Sequence, residues 1–246
     1  MATAQPKSLT LTRKDAVWLI TFQVNAFTPA LISEIHACLD QIEATAGPSV
    51  VIFASAKRIF SGGLDLVRAT QEPARRQIAP LELFCLLAKL IGRLVVFPLP
   101  TVAAIERGCY NGAVLFISAC DHRVMSAENA SIGMREVKMP SALPAAGVRV
   151  LQAKLSPKAV KDLLLTGRDV GPQEALATQT VDVLAPKEEV LAKTVEWAQS
   201  LASLGEKREA YGLLKRQMYG EVAATCAQAA WEYEEIVCSS KFISKL

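Results

Sequence analysis

Three short stretches of this chain carry residues whose types and spacing could do chemistry. The first is Phe60-Ser61-Gly62-Gly63-Leu64-Asp65-Leu66. Two consecutive glycines permit left-handed backbone angles and a close approach to a ligand, so that successive N–H groups can point into one cavity. The same pair would serve an ordinary tight turn. The second is Arg107-Gly108-Cys109-Tyr110-Asn111-Gly112, a turn that runs directly into an apolar segment with helical character. The first N–H groups of a helix have no intrahelical acceptor, and they sit at the positive end of its dipole. Two backbone donors facing one point, one from each turn, would stabilise an oxygen that becomes negative during a reaction. The third is Ser131 to Pro140, a polar interruption that contains Glu136. A lone loop glutamate is commonly a solvated surface residue. Beside an oxyanion site it would be a general base.

These stretches need a frame to hold them. Asp15–Gln23 and Ser49–Ser55 are strand-like, the second a continuous apolar run of the kind buried on both faces. Between them, Leu31, Ile35, Cys38, Leu39 and Ile42 recur at helical spacing within Ala30–Ile42. A second helix is expected over Leu81–Val96, with Leu83, Leu86, Leu87, Leu90 and Leu94 inward and Lys89 and Arg93 opposite. Pro98 and Pro100 stop it. Thr101–Ile105 and His122–Met125 read as further strands, with a helix from Gly112 to Cys120 between them. Ser156-Pro157 is a helix start, with a capping hydroxyl before a proline at the first helical position. Beyond Pro186 the chain is nearly all helical, with Val190, Leu191, Val195, Ala198, Leu201 and Leu204 on one stripe that Gly205 ends. Alternating strands and helices of this kind build an α/β fold around a largely parallel sheet.

Composition narrows the function. The chain has 246 residues, 51% hydrophobic, enough to bury a sizeable core. Its net charge of +3 is dispersed, with no basic run longer than a pair, so nucleic-acid binding is not expected. The longest apolar stretch, Gly112–Cys120, is about half the length of a membrane span. Six cysteines without a Cys-x-x-Cys and two histidines support neither a zinc site nor a disulfide framework. Ser244-Lys245-Leu246 spells the tripeptide that the peroxisomal import receptor reads, so that receptor is an expected partner and the peroxisome an expected address.

Taken in order, FSGGLDL, RGCYNGAV with Cys120-Asp121 beyond, IGMREV, and LLLTGRDVGPQEALATQTVD resemble the crotonase superfamily, the enoyl-CoA hydratase/isomerase family, over about residues 10–205. The resemblance implies a spiral of strand-strand-helix units over residues 1–190 and a helical region over 191–246 that assembles a homotrimer or hexamer. It implies an acyl-CoA substrate, with coenzyme A part of that substrate and no further cofactor or metal. The oxyanion donors it implies are the N–H groups of Leu64 and Gly112, with Glu136 as the base. Lys57 is implied as a phosphate contact and the Gly62 backbone as the neighbour of the adenine, while Gly63, Leu66, Leu115 and Met134 complete the substrate-binding set. Hydratases of the family hold two carboxylates, the first three residues after the oxyanion glycine; here that position is Leu115. One carboxylate beside an apolar residue resembles a Δ3,Δ2-enoyl-CoA isomerase; the alternatives are another crotonase-type reaction, thioester hydrolysis or hydration, and a non-catalytic member that binds acyl-CoA or a protein. The chain departs from the family where relatives usually carry several glycines, at Asn111-Gly112-Ala113.

Overall fold

A computed structural model describes residues 7–75, 78–139 and 143–239; Ser244-Lys245-Leu246 lies outside the described residues. The chain opens with a hairpin of β1 (Leu9–Lys14) and β2 (Val17–Phe22), turned at Asp15 with φ 55°. Helix α1 (Pro29–Ala44) follows, its first turn capped by the Thr28 hydroxyl, which accepts from the Leu31 N–H at 3.1 Å. Then come β3 (Val50–Ser55), the single turn α2 (Leu66–Ala69), α3 (Ala79–Val95) and β4 (Thr101–Ile105). The central region continues with β5 (Cys109–Tyr110), α4 (Gly112–Ala119), β6 (His122–Ser126) and β7 (Ile132–Gly133). The remainder is α5 (Ala145–Lys154), α6 (Pro157–Thr166), β8 (Asp169–Val170), α7 (Pro172–Ala177), β9 (Val183–Ala185), α8 (Val190–Leu201) and α9 (Arg208–Ser239).

The main sheet has the order β1-β2-β3-β4-β6-β9, parallel throughout except for β1. Its middle strands are apolar at nearly every position because both faces are covered. On one face, Phe22, Phe27, Phe53, Phe60 and Phe116 interlock with ring centroids 5.0–6.4 Å apart, beneath α1, α3 and α4. On the other, Val190 and Ala198 of α8 cover Ile52, Val102 and Val124. A small sheet, β5-β7-β8, stands apart and holds the site. Among the described residues, no helix is long and apolar enough to cross a membrane.

Three expectations change. Leu9–Lys14 is an additional edge strand; its polar residues alternate with only two leucines, as an exposed edge requires. Leu86 is not inward but 36% exposed, because it lies on the flank of the stripe formed by Leu83, Leu87, Leu90 and Leu94. Gly205 does not end α8, which stops at Leu201 and continues as a 3-10 turn over Ala202–Lys207. Gly205 is needed for packing instead, since a side chain there would collide with the Ser49 carbonyl.

Candidate active site

The two glycine-bearing turns lie side by side because their backbones pair. Phe60 N–H donates to Gly108 O at 2.8 Å and Tyr110 N–H to Ser61 O at 3.0 Å, with Ser61 bridged to Cys109. The first turn is anchored from the other side by Phe27, whose N–H donates to Gly63 O (2.8 Å) and whose carbonyl accepts from Asp65 N–H (3.0 Å). Within it, Gly62 N–H donates to Asn25 O and Gly63 N–H to the Ser61 hydroxyl, at 2.8 and 3.1 Å. The Leu64 N–H has no acceptor among the described residues, and neither has the Gly112 N–H, the first of α4. These two donors are neighbours: a Cβ built on Gly63 would stand 2.9 Å from Gly112 N, and one built on Gly112 would stand 3.7 Å from Leu64 N. Two free amides, one at the positive end of an eight-residue helix, are an arrangement of the kind that can hold an anion.

The glycine pair is not equivalent. Gly63 has φ 97°, a conformation that disfavours any side chain, whereas Gly62 has no positive φ and a Cβ there would make only ordinary contacts. Only Gly63 is required by geometry.

Glu136 follows β7, whose pairing sets the segment that carries it. Cys109 N–H donates to Ser131 O (2.9 Å) and Asn111 N–H to Gly133 O (2.8 Å), which lays the Ser131–Arg135 segment against the second turn. Glu136 then opens a 3-10 turn, Glu136–Lys138. Its Oε2 is buried without a hydrogen-bond partner among the described residues. Burial raises its carboxyl above the ordinary 4.5, and a hydrogen bond from its own backbone only partly offsets this. The adjacent Arg135 directs its charge elsewhere: its guanidinium donates to both Asp169 oxygens at 3.0 and 2.5 Å and lies 4.3 Å from the Tyr110 ring centroid. A carboxyl with one buried, unpartnered oxygen and a raised pKa is suited to take and return a proton.

Leu115 lies one turn into α4 and is buried, as is Met134 beside Glu136. Leu66, half-buried, begins α2. Lys57 is exposed just beyond β3. A cavity of about 370 Å³ opens between the start of α1, α2 and α3, with Pro29, Ala69, Leu83 and Leu86 among its walls and Asp65 and Arg68 at its edge. One turn along α3 from Leu83, Leu87 packs against Gly112, and Asp65 in the cavity's lining directly follows Leu64 in the chain. Lys57 does not line it.

Two further features escaped sequence reasoning. Asn111 has φ 54° and ψ −128°, a conformation natural to glycine that costs another residue about 1–3 kcal/mol. Its amide Nδ2 donates to Gly62 O at 3.3 Å and its Oδ1 accepts from Arg135 N–H at 3.0 Å. The departure from a glycine-rich turn was its only signal. Away from the site, Asp121 is buried in an ionic cluster: its Oδ2 accepts from Thr101, Tyr211 and Lys215, and Lys154 stands 3.9 Å from its Oδ1. Burial pushes the Asp121 carboxyl up, but Lys215 and Lys154 outweigh it and hold it below the usual range.

Residues 12–245 match the sequence profile of the enoyl-CoA hydratase/isomerase family. A Thermus thermophilus protein bearing the name enoyl-CoA hydratase is 34% identical over 185 residues, 72% of this chain and 68% of its own. Enoyl-CoA delta isomerase 3 of Arabidopsis thaliana is 28% identical over 222 residues, 87% of this chain and 92% of its own. The crystal structure of human mitochondrial delta3-delta2-enoyl-CoA isomerase is similar with a TM-score of 0.82 and 25% identity, covering 97% of this chain and 92% of that one.

Proposed function

The chain belongs to the enoyl-CoA hydratase/isomerase family, and from that premise we propose that it is a Δ3,Δ2-enoyl-CoA isomerase acting on unsaturated fatty acyl-CoA. The observation that carries the choice within the family is Leu115, buried and unable to take a proton where hydratases hold their first carboxylate. Water addition needs one group to orient water and another to deliver a proton; moving a double bond needs one base that gives back what it takes.

In the proposed reaction, Glu136 removes a proton from C2 of a 3-enoyl-CoA. The pair from the broken C2–H bond forms the C1=C2 double bond of a dienolate that keeps its C3=C4 bond, and charge collects on the thioester oxygen under the Leu64 and Gly112 N–H groups; the C2=C3 bond forms only when C4 is protonated. The Glu136 carboxyl then delivers the proton to C4 as the enolate collapses, giving the 2-enoyl-CoA with no net change in atoms or electrons. The free Leu64 and Gly112 amides support this reading, because donors already aimed at the developing oxyanion need no reorganisation. The buried, unpartnered Oε2 of Glu136 supports it as well. The cavity beside α3 is the proposed acyl-chain site.

The test is product analysis with a 3-enoyl-CoA, wild type against Glu136→Gln. The expected result is 2-enoyl-CoA from the wild type, and a variant that loses turnover by about a hundredfold or more while binding acyl-CoA unchanged. The Thermus relative's name favours a second reading, hydration. Release of 3-hydroxyacyl-CoA from a 2-enoyl-CoA at a rate exceeding isomerisation would replace the isomerase reading with that one. Indifference to Glu136→Gln would point to a binding protein.

A further inference from the structure

We propose that Asn111 is a positioning residue, whose side-chain amide locks the two oxyanion donors and the loop bearing Glu136 into one register. It deepens the proposed function and rests on Leu64, Gly112 and Glu136 being the reacting groups. Asn111 precedes Gly112, so the Asn111–Gly112 peptide plane sets where the Gly112 N–H points. That plane is held in a conformation that an L-residue does not choose unaided, φ 54° and ψ −128°. The compensation is visible in the bonds. Nδ2 donates to Gly62 O, in the peptide just before Gly63 and Leu64; Oδ1 accepts from the N–H of Arg135, the residue immediately before Glu136. The Asn111 backbone N–H donates to Gly133 O, and its carbonyl accepts from Val114 N–H at 2.8 Å.

One residue thus touches all three functional stretches. The Val114 and Gly133 bonds hold the turn to its own helix and to β7, and a glycine at 111 would keep both. The links to Gly62 and Arg135 exist only through the side chain. Without them, the first turn remains paired with the second at Ser61–Cys109, and the base loop remains paired at β7, but the last residues of each approach lose the tie that fixes their separation. Asn111 touches no substrate atom in this scheme. It acts through the Gly112 amide and the Glu136 carboxyl.

The perturbation that isolates this role is Asn111→Gly, which removes both amide bonds while relieving the backbone, so the variant is expected to fold. Two ligands of equal chain length separate the hole from general binding: acetoacetyl-CoA, which can present an enolate oxygen, and saturated butyryl-CoA. The full-length protein is titrated with each, and kcat and KM are measured with a 3-enoyl-CoA beside the melting temperature. The expected variant melts at or above the wild type and binds butyryl-CoA within about twofold. It loses about tenfold in acetoacetyl-CoA affinity and about tenfold to a hundredfold in kcat, with KM little changed. Asn111→Asp keeps the acceptor for Arg135 N–H and loses the donor to Gly62 O, and it should recover none of the acetoacetyl-CoA preference. Wild-type preference for acetoacetyl-CoA in Asn111→Gly overturns the inference; so does equal loss of both ligands with a lowered melting temperature, which marks a merely structural residue. A wild type that prefers acetoacetyl-CoA but turns over no 3-enoyl-CoA defeats the isomerase reading alone, and the affinity ratio still decides the role of Asn111. A wild type with no such preference defeats both.

Discussion

Adjacent glycines that look interchangeable in the sequence should behave oppositely when replaced by alanine. At Gly63, φ is 97°, where an L-residue loses about 1–2 kcal/mol relative to its preferred wells. The added methyl would also stand 2.9 Å from Gly112 N and 3.1 Å from both Tyr110 O and Asn111 Cβ. Two of these three neighbours are backbone atoms of a turn that is hydrogen-bonded on both sides, so the turn must shift by a few tenths of an ångström. Overpacking of this kind costs about 1–3 kcal/mol more. The atom pushed hardest is the nitrogen that donates to the oxyanion, and misplacement by about an ångström costs about a hundredfold in rate. Gly63→Ala should therefore lose about 2–5 kcal/mol of stability and at least about tenfold in kcat. At Gly62 the same methyl meets Asn25 O at 3.7 Å and Ile59 Cδ1 at 3.9 Å, ordinary contacts, with no positive φ to strain. Gly62→Ala should be neutral or stabilising by up to about 1 kcal/mol through the unfolded chain. Urea unfolding followed by circular dichroism gives the stabilities, and steady-state kinetics with a 3-enoyl-CoA gives the rates. Equal damage at both positions, or a Gly63→Ala enzyme within twofold of wild type, would refute the assignment of the second glycine as the spacer between the two donors.

Glu136 works as a base only when ionised, and burial raises its carboxyl above the ordinary 4.5, so the acid limb of kcat/KM should have its midpoint above that value and vanish in Glu136→Gln. The same shift has a stability sign: a raised carboxyl contributes stability that is fully present below 4.5 and is lost as pH rises through the folded-state value. Glu136→Gln should accordingly gain stability over wild type at neutral pH in urea melts, and the gain should disappear below about pH 4. In the buried cluster, Lys215→Met should cost about 3–5 kcal/mol by stranding the Asp121 carboxylate, whose neighbour Lys154 stands farther off at 3.9 Å; adding Asp121→Asn should restore part of it in thermal melts. Leu115→Glu should reduce stability by several kcal/mol, since the side chain is 1% exposed, yet raise hydration of a 2-enoyl-CoA above the wild-type level as read by loss of its conjugated absorbance.

What could be read from the sequence was local or periodic, and what could not was set by residues far apart along the chain. The helical spacing of Leu31, Ile35 and Leu39 and the apolar runs at 50–55 and 101–105 depend on neighbours a few positions away, so the frame of the sheet and its helices could be read directly. Leu86 failed because a stripe has margins: a residue on its flank is decided by what packs there, and here a cavity does. The unequal glycines are a harder case, since nothing within Phe60–Leu66 distinguishes Gly62 from Gly63; the distinction comes from the backbone of residues 110–112 pressing on one and not the other. Asp121 and Lys215, 94 positions apart, carry no pattern that would pair them. Asn111 joins both kinds of information. In the sequence it was a flaw in a glycine-rich turn, a side chain where the backbone angles ask for none. In three dimensions the strain and the two amide bonds belong together, because a residue that pays no conformational penalty at this turn also has no side chain with which to reach Gly62 O and Arg135 N–H. A glycine would make the turn easier to form and leave the separation of the donors and the base less determined.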